Sequence, residues 1–138
     1  NMGGAMAPAA AETLRRFFAD NRCSPADYDG VYTGDLGVVG SEMLAQLLTA
    51  EGIDLAGRHK DCGLLLYDRE TQQTGAGGSG AGCAASVLAA HILPALKTGR
   101  MRRALLVCTG ALMSTTTLLQ GESIPAVAHL VELTAPES

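Results

Sequence analysis

A long apolar run, Gly82–Lys97, limits most strongly what this chain can fold into. The run predicts a helix whose side chains are apolar on nearly every side, with Ser86 and His91 as the polar exceptions before Lys97. A helix on the outside of an open sheet has a polar face, so a helix without one is covered all round. Leaving such a helix half exposed would forgo about 10 kcal/mol of hydrophobic stabilisation. We therefore expect a second copy or a second domain to cover part of it.

The rest of the hydrophobic patterning predicts an α/β fold in one domain over residues 1–138. Amphipathic periodicity indicates helices over Pro8–Asn21 and Val38–Glu51. Strands are predicted over four segments: Tyr28–Thr33, Leu64–Tyr67, Ala104–Thr109 and Ile124–Thr134. The order α-β-α-β-α-β-β is typical of a mostly parallel mixed sheet with helices on both faces. Residues 53–61 and 69–80 are interpreted as loops, and the short run Leu64–Tyr67 is also compatible with a helix.

Charge and hydropathy exclude two classes of function. The 138 residues include ten basic and fourteen acidic side chains, for a formal net charge of −4. No broad positive field exists, so general binding of nucleic acid is not expected. The most apolar stretch, residues 80–96, is too short for a membrane span and is interrupted by His91 and Pro94.

Cysteine and histidine spacing excludes a structural zinc site. No two cysteines form a C-x-x-C pair, and the three histidines do not stand at metal-ligand spacing. The four cysteines are Cys23, Cys62, Cys83 and Cys108. The last two lie in apolar runs, where a reduced cysteine acts as a small hydrophobe. An intracellular, reducing compartment is the simpler interpretation.

Two segments invite a ligand-binding interpretation. The glycine-rich residues 77–82 precede the apolar helix, but they lack a Gly-Lys-Ser/Thr sequence and do not follow a strand directly, as a nucleotide-binding loop would. A helix start that accepts some anion and a close approach of backbones both remain open. Asp35 follows Gly34 at a strand end, where α/β proteins place ligands, and it is equally explained as a turn or capping carboxylate.

The nucleophile candidates are Cys83 and Cys108, with His91 or His129 as a neighbouring base. Both cysteines lie in apolar runs, so packing in the core is the simpler interpretation. His91 lies on the apolar helix and fits a core histidine. His59 lies in a charged run and is predicted to be solvated.

Segments distributed over nearly the whole chain resemble the C-terminal half of a thiolase-like protein, and more closely the stage V sporulation protein AD family. The segments that carry this resemblance are Asn1–Ala10, Tyr28–Gly37, Asp61–Gly63, Gly77–Cys83, Thr109–Leu112 and Gln120–Pro125. The resemblance implies two similar halves, each a five-stranded sheet with helices, and central helices packed between the sheets. It also implies that the N-terminal half, and the first strand of this half, lie outside this sequence.

The resemblance further implies a role in the uptake and release of dipicolinic acid, often as its calcium chelate, in bacterial spores. A protein of this family is expected to bind the ligand as part of a membrane transport assembly, peripheral to the spore inner membrane through its partners. The implied partners are other spore transport proteins, together with the N-terminal half or a second copy. No cofactor is implied, and calcium enters only as the dipicolinate chelate.

Comparison with acyl-condensing relatives implies a protein without condensing activity. Those relatives carry a catalytic histidine where this chain reads Gly34-Asp35-Leu36-Gly37, and a catalytic asparagine where it has Ala81. Neither substitute can polarise a thioester or hold an oxyanion through its side chain. Two alternatives remain: a divergent condensing or thioester-cleaving enzyme that uses Cys83 or Cys108, and a scaffold that binds only proteins.

Position along this resemblance suggests five ligand-binding residues. Backbone N–H groups at Gly80 and Gly82, and the hydroxyls of Ser79 and Thr109, are expected to donate to a carboxylate of dipicolinate. Asp35 would repel the bare dianion, but it would help to hold calcium, which prefers oxygen ligands. No metal site of the protein's own is predicted.

Overall fold

The structure is a computed structural model that describes residues 2–70, 80–111 and 126–137. In chain order its elements are α1 (Met2–Asn21), a 3-10 turn (Pro25–Asp27), β1 (Gly30–Thr33), α2 (Gly37–Ala50), β2 (His59–Asp61), α3 (Cys62–Glu70), α4 (Gly80–Val87), a π-helical turn (Leu88–Ile92), α5 (Leu93–Lys97), β3 (Arg103–Ala111) and β4 (Ala126–Thr134). Within the described residues, no helix is both long and apolar enough to cross a lipid bilayer.

The described strands form one mixed sheet in the order β2-β1-β3-β4. Strand β1 runs parallel to both of its neighbours, and β4 runs antiparallel to β3. Thr33, the last residue of β1, pairs with Asp61 on one side and with Val107 on the other. The predicted α/β class with a mixed sheet is therefore confirmed, and the carboxyl ends of β1 and β2 coincide.

Helices cover both faces of this sheet. Successive strand residues point to opposite faces, and the neighbours Leu105 and Leu106 accordingly belong to two different cores. The first core joins β1 and β3 to α1 and α2, and its helical members include Leu14, Phe18, Leu44 and Leu48. The second core joins the sheet to α3 and to the helices that follow it, through Cys62, Val87, Ile92 and Leu96.

Two of the predicted elements are wrong. His59–Asp61 form strand β2 inside a segment expected to be irregular, and Leu64–Tyr67 lie in helix α3 instead of a strand. The strand is short and polar, so hydrophobic patterning does not reveal it. The apolar run has no periodicity to separate a strand from a helix, and Asp61 in front of it is a favourable residue at a helix N-cap. The element order therefore gains a helix after β2.

Helix α1 begins at Met2 instead of Pro8, so a proline lies inside it. Interior proline removes a backbone hydrogen bond and is costly, yet tertiary packing holds this first segment in place. Met6 and Ala7 are buried in the first core. Gly3 lies so close to α2 that a Cβ atom on Gly40 would stand 2.8 Å from the Gly3 carbonyl oxygen.

The predicted apolar helix exists and is continuous from Gly80 to Lys97, beginning two residues earlier than expected. The Leu93 N–H donates to the Leu88 carbonyl, which makes a wide π-helical turn directly before Pro94. One side of the helix is buried: Ala84, Val87, Ile92, Ala95 and Leu96. The other side is exposed: Ala85, Ala89, Ala90 and Leu93.

This chain by itself therefore covers only one face of the helix. Leu93 is 46% exposed, the largest of the apolar side chains on the open face. His91, expected to be a core histidine, is exposed and lies with its ring centroid 5.9 Å from that of Tyr32. The open face agrees with the expectation that this chain alone covers only part of the helix.

Candidate functional site

The carboxyl edge of the parallel strands brings predicted site residues together. Thr33 pairs with Val107 in the sheet. Asp35 lies two residues after Thr33 and Thr109 lies two residues after Val107, so both lie toward the same end of the paired strands. Helix α4 packs against β3. The chain turns from Lys97 into β3, so the helix and the strand run in opposite directions and the helix start lies toward this same edge.

The structure places four of the five predicted site residues. Gly80 is the first residue of α4 and Gly82 is the third. Asp35 lies in the turn between β1 and α2 and is partly buried. Thr109 lies in β3, where its backbone pairs with Ala128. Ser79 lies outside the described residues.

A buried carboxylate, Asp61, organises this edge. It is 3% exposed, and within the described chain it accepts hydrogen bonds from four groups. Its Oδ1 accepts from the Thr33 hydroxyl at 2.6 Å and from the Leu36 N–H at 2.8 Å. Its Oδ2 accepts from the Gly37 N–H at 3.1 Å and from the Leu64 N–H at 3.3 Å. One carboxylate therefore caps the first turns of both α2 and α3, where negative charge also meets the positive helix ends.

The Asp61 carboxylate also orients the side chains of Thr33 and His59, which are linked to it by successive hydrogen bonds. The Thr33 hydroxyl donates its one hydrogen to Asp61, so its oxygen accepts from His59 Nε2, which lies 2.9 Å away. His59 therefore carries its hydrogen on Nε2. Burial lowers the pKa of this imidazole, and the nearby Asp61 charge acts in the opposite direction. The prediction that His59 is solvated is wrong, because β2 turns its ring toward Thr33.

Gly63 lets two carboxyl groups approach each other at the start of α3. A Cβ atom at this position would stand 2.9 Å from Asp35 Cγ and 3.2 Å from Asp61 Oδ2. The Gly63 N–H donates to the Gly34 carbonyl at 3.0 Å and ties α3 to the turn that holds Asp35. The Asp35 carboxyl group is thus fixed against the start of α3.

The acidic groups at this edge do not form a metal cage. No three His, Cys, Asp or Glu side chains within the described residues are grouped so that they could hold a metal ion. Both Asp61 oxygens are occupied by backbone and hydroxyl donors. A calcium ion at Asp35 would therefore depend on further oxygen atoms from a chelating ligand.

The described cysteines are reduced, and one of them faces a histidine. Cys23, Cys62 and Cys108 form no disulfide. Cys108 stands directly opposite His129 in the β3–β4 register. Burial raises the pKa of the Cys108 thiol, which disfavours the thiolate that nucleophilic chemistry needs. Cys83 lies in α4.

Sequence reasoning missed Thr33, His59 and Asp61, which form the best-ordered polar cluster of this edge. One signal was present in the sequence. His59 and Asp61 alternate around Lys60, as residues on one face of a strand do, and Asp61 directly precedes an apolar run that a helix would also explain. Taken together, these features indicate a strand that ends in a helix cap.

Comparison with known proteins identifies the family. The family described as Stage V sporulation protein AD (SpoVAD) matches residues 1–134. The chain belongs to the SpoVAD family. It is 46% identical over 129 residues to Stage V sporulation protein AD of Bacillus subtilis (strain 168), and the match covers 94% of this chain. The resemblance to the stage V sporulation protein AD family is thereby confirmed.

The match covers 38% of the length of the Bacillus subtilis relative. The name of the SpoVAD family refers to sporulation. Membership of the family therefore assigns this chain a role in sporulation.

Proposed function

We propose that this chain is part of a non-catalytic protein that binds dipicolinic acid, as its calcium chelate, within a transport assembly of the spore inner membrane. SpoVAD membership supports the sporulation role. The observation that carries the ligand proposal is the convergence of Asp35, Thr109 and the α4 start at one carboxyl edge of the parallel strands. That edge is where open α/β sheets bind ligands.

The chemistry of this edge fits a flat dicarboxylate. The N–H groups at the start of α4, near Gly80 and Gly82, are donors suited to a carboxylate, and the hydroxyls of Ser79 and Thr109 would add to them. Asp35 carries a negative oxygen at the same carboxyl edge of the sheet. In our proposal it contacts the calcium ion of the chelate, since a bare dianion next to Asp35 would be repelled.

The absence of catalysis in our proposal rests on residue types. The condensing relatives' histidine position is taken by the turn that contains Asp35, and their asparagine position by Ala81. Neither residue stabilises an oxyanion through its side chain. The raised pKa of the Cys108 thiol agrees with this assignment.

The pairing of Cys108 with His129 favours one alternative function, a thioester-cleaving enzyme. That alternative requires a reactive thiolate at neutral pH. Labelling with iodoacetamide separates the two functions. We expect Cys108 to react slowly until the chain is denatured, and rapid labelling of native Cys108, lost in a His129→Ala variant, would favour the enzyme.

We also propose that the exposed face of the helix over residues 80–97 packs against the rest of the protein or against a second copy. Ala85, Ala89, Ala90 and Leu93 form an apolar surface that this chain leaves open. The match covers little more than a third of the relative's length. In our proposal, the part of such a protein outside the match packs on this apolar surface. Membrane association would then come from the other transport proteins of the spore.

Calorimetric titration of dipicolinate into this chain, with and without calcium and with picolinate as the control, tests the ligand proposal. We expect selective binding that calcium strengthens. Asp35→Asn should remove the calcium dependence, whereas Ser79→Ala and Thr109→Val should weaken binding in both conditions. Asp54→Asn, an exposed change far from this edge, serves as the matched control.

If this chain shows no binding, the same titration is made with the longer Bacillus subtilis relative. If the relative binds dipicolinate with an affinity that a substitution at its equivalent of Asp35 leaves unchanged, the pocket lies outside this region. Failure of both proteins to bind dipicolinate would overturn the ligand proposal and favour a scaffold that binds only proteins.

A further inference from the structure

A cavity lies where α1 leads into β1 and α2 leads into β2, at the opposite end of these strands from the edge proposed for dipicolinate. Its volume is about 390 Å³, within the range of small-molecule sites. The end of α1 with the residues after it forms one wall, and the residues after α2 form the other. These walls include Phe18, Cys23, Pro25, Gly52, Ile53 and Asp54. None of the residues proposed above for dipicolinate lines the cavity.

The C-terminal ends of two helices meet at this cavity. Helix α1 ends at Asn21 and α2 ends at Ala50, and Cys23 and Gly52, two residues beyond these ends, both line the cavity. A helix carries partial negative charge at its C-terminus, where a basic residue is favourable. Neither helix has a basic residue in its last turn. The two helix ends therefore favour a positively charged ligand.

The backbone N–H groups of the walls are largely used within the chain. Those that donate to oxygen atoms of the protein belong to Cys23, Ser24, Gly52, Ile53 and Ala56. Pro25, on the same wall as Cys23, has no N–H to offer. The polar groups that remain are mainly carbonyl and carboxylate oxygens, so the cavity suits a ligand that donates hydrogen bonds.

Asp54 adds a full negative charge to the cavity wall. Its Oδ1 accepts from the Ala56 N–H at 2.9 Å, which holds the carboxylate against this wall. Within the described residues, no basic side chain lines the cavity. Arg22 follows α1 directly and is exposed, and Arg103 is paired with Glu132 at 3.0 Å. The charge of the cavity wall itself is therefore negative.

The remaining surface of the cavity is apolar. Phe18 belongs to the first core, and Cys23 and Ile53 pack against that core. Pro25 is buried beside them. A ligand that fits both parts of the wall has an apolar stem and a positive head group with several N–H donors.

We propose that this cavity binds an alkylguanidinium or alkylammonium group, with its stem against Phe18 and Ile53 and its head group at Asp54 and the neighbouring carbonyl oxygens. A small organic amine and a basic side chain of a partner protein share this chemistry. The site is independent of the dipicolinate proposal, because it uses different residues at the other end of the strands and takes a ligand of opposite charge.

Titration of the ¹⁵N-labelled chain by NMR tests this site, with n-butylguanidinium as the probe and sodium chloride holding the ionic strength constant. We expect saturable shifts of the Cys23, Ile53, Asp54 and Ala56 amide signals. Methylguanidinium should bind more weakly, because its shorter stem buries less apolar surface. The neutral 1-butanol, which has the stem without the charge, should also bind more weakly.

A capped tripeptide with arginine at its centre separates the two sources of such a group. Saturation of the same amide signals by this peptide supports a basic side chain of a partner protein as the ligand. Saturation by n-butylguanidinium alone supports a small organic cation, because the peptide backbone is then excluded from the cavity mouth.

Matched variants make the test specific. Asp54→Asn should weaken binding of n-butylguanidinium about three- to fivefold, as expected for the loss of one exposed ion pair, and should leave the dipicolinate titration unchanged. The two proposals therefore fail separately. Glu42→Gln removes an exposed carboxylate near the other end of α2 and should leave binding unchanged. Arg22→Gln removes a competing positive charge, so binding should be at least as strong.

Three results would overturn the proposal. Shifts that rise linearly with n-butylguanidinium, without saturation, would indicate only general solvent effects. Equal weakening by Asp54→Asn and Glu42→Gln would indicate nonspecific attraction to the net negative charge of the chain. Weaker binding by the Arg22→Gln variant would show that positive charge at this end of α1 assists the ligand, which contradicts a cation site.

Discussion

At the scale of single residues, Asp61 is the side chain that this fold depends on most. Its carboxylate accepts from the Leu36, Gly37 and Leu64 N–H groups and from the Thr33 hydroxyl. We expect Asp61→Asn to lower the free energy of unfolding by about 3 kcal/mol, because an amide turns an N–H donor toward groups that are themselves donors. Urea unfolding followed by circular dichroism measures this change.

Asp54→Asn is the matched control for that substitution. The Asp54 carboxylate is exposed and accepts only from the Ala56 N–H within the described turn, at 2.9 Å, and asparagine supports the same kind of turn. The control should change the free energy of unfolding by less than about 0.5 kcal/mol. Equal losses in the two variants would show that the Asp61 cap contributes no more to stability than an exposed carboxylate does.

The pH dependence of stability near neutrality depends on His59. Burial lowers the pKa of this imidazole from its ordinary value of 6.5, with the Asp61 charge opposing the shift. As pH falls through that value, the unfolded chain takes up a proton that the folded chain resists, so the free energy of unfolding falls. We expect lower stability at a pH of about 5.5 than at about 7.5. His59→Gln should flatten this slope, whereas the exposed His129→Gln should keep it.

Residue-scale prediction from the sequence succeeded where a residue follows a recognisable strand end. Asp35 was placed correctly at such an end because the β-forming run before it is clear. Thr33, His59 and Asp61 were not foreseen as a cluster, because their meeting depends on the pairing of β1 with β2, and three polar residues give no hydrophobic signal for a strand. His59 stood among charged residues, and sequence alone does not show that a ring is turned inward.

At the scale of elements, Gly63 controls how closely α3 approaches the β1–α2 turn. Because Gly63 has no side chain, there is room for the Asp35 carboxyl group. A Cβ atom added to Gly63 would lie 2.9 Å from Asp35 Cγ. We expect Gly63→Ala to lower the free energy of unfolding by about 1 to 3 kcal/mol through this overpacking. Thermal unfolding of the variant is the measurement.

A double variant identifies the cause of that loss. If the clash with the Asp35 carboxyl group is responsible, Asp35→Ala in the Gly63→Ala background should recover part of the stability. The two substitutions are close enough to couple, so the double-mutant cycle should give a clearly non-additive result. Strictly additive losses would place the strain elsewhere.

The elements themselves were predictable to the extent that their hydrophobic period was long. Helix α2 shows several turns of clear patterning, the helix over residues 80–97 is marked by a long apolar run, and both were found. The run Leu64–Tyr67 is too short for periodicity to decide, and the cap supplied by Asp61 made it helical. The start of α1 was missed because packing of Gly3 against Gly40 outweighs the local preference of Pro8 to begin a helix.

At the scale of the whole molecule, the open face of the central helix should drive association. Leu93 is 46% exposed among alanines that are exposed as well. We expect this chain to self-associate with rising concentration in sedimentation velocity, and Leu93→Glu to reduce that association, since the substitution places a charge in the apolar face. Leu47→Glu, at a residue of α2 that is 36% exposed, is the control. Equal effects of both changes would indicate general hydrophobic aggregation.

The shared cap at Asp61 also has a consequence for how the layers of the molecule move. Helix α2 belongs to the core on one face of the sheet and α3 to the core on the other, yet both hold their first turns to one carboxylate. Fraying of either helix end removes a donor from Asp61 and weakens the cap of the other. The amides of Leu36, Gly37 and Leu64 should therefore exchange their hydrogens with solvent deuterium as one cooperative unit that spans both faces of the sheet.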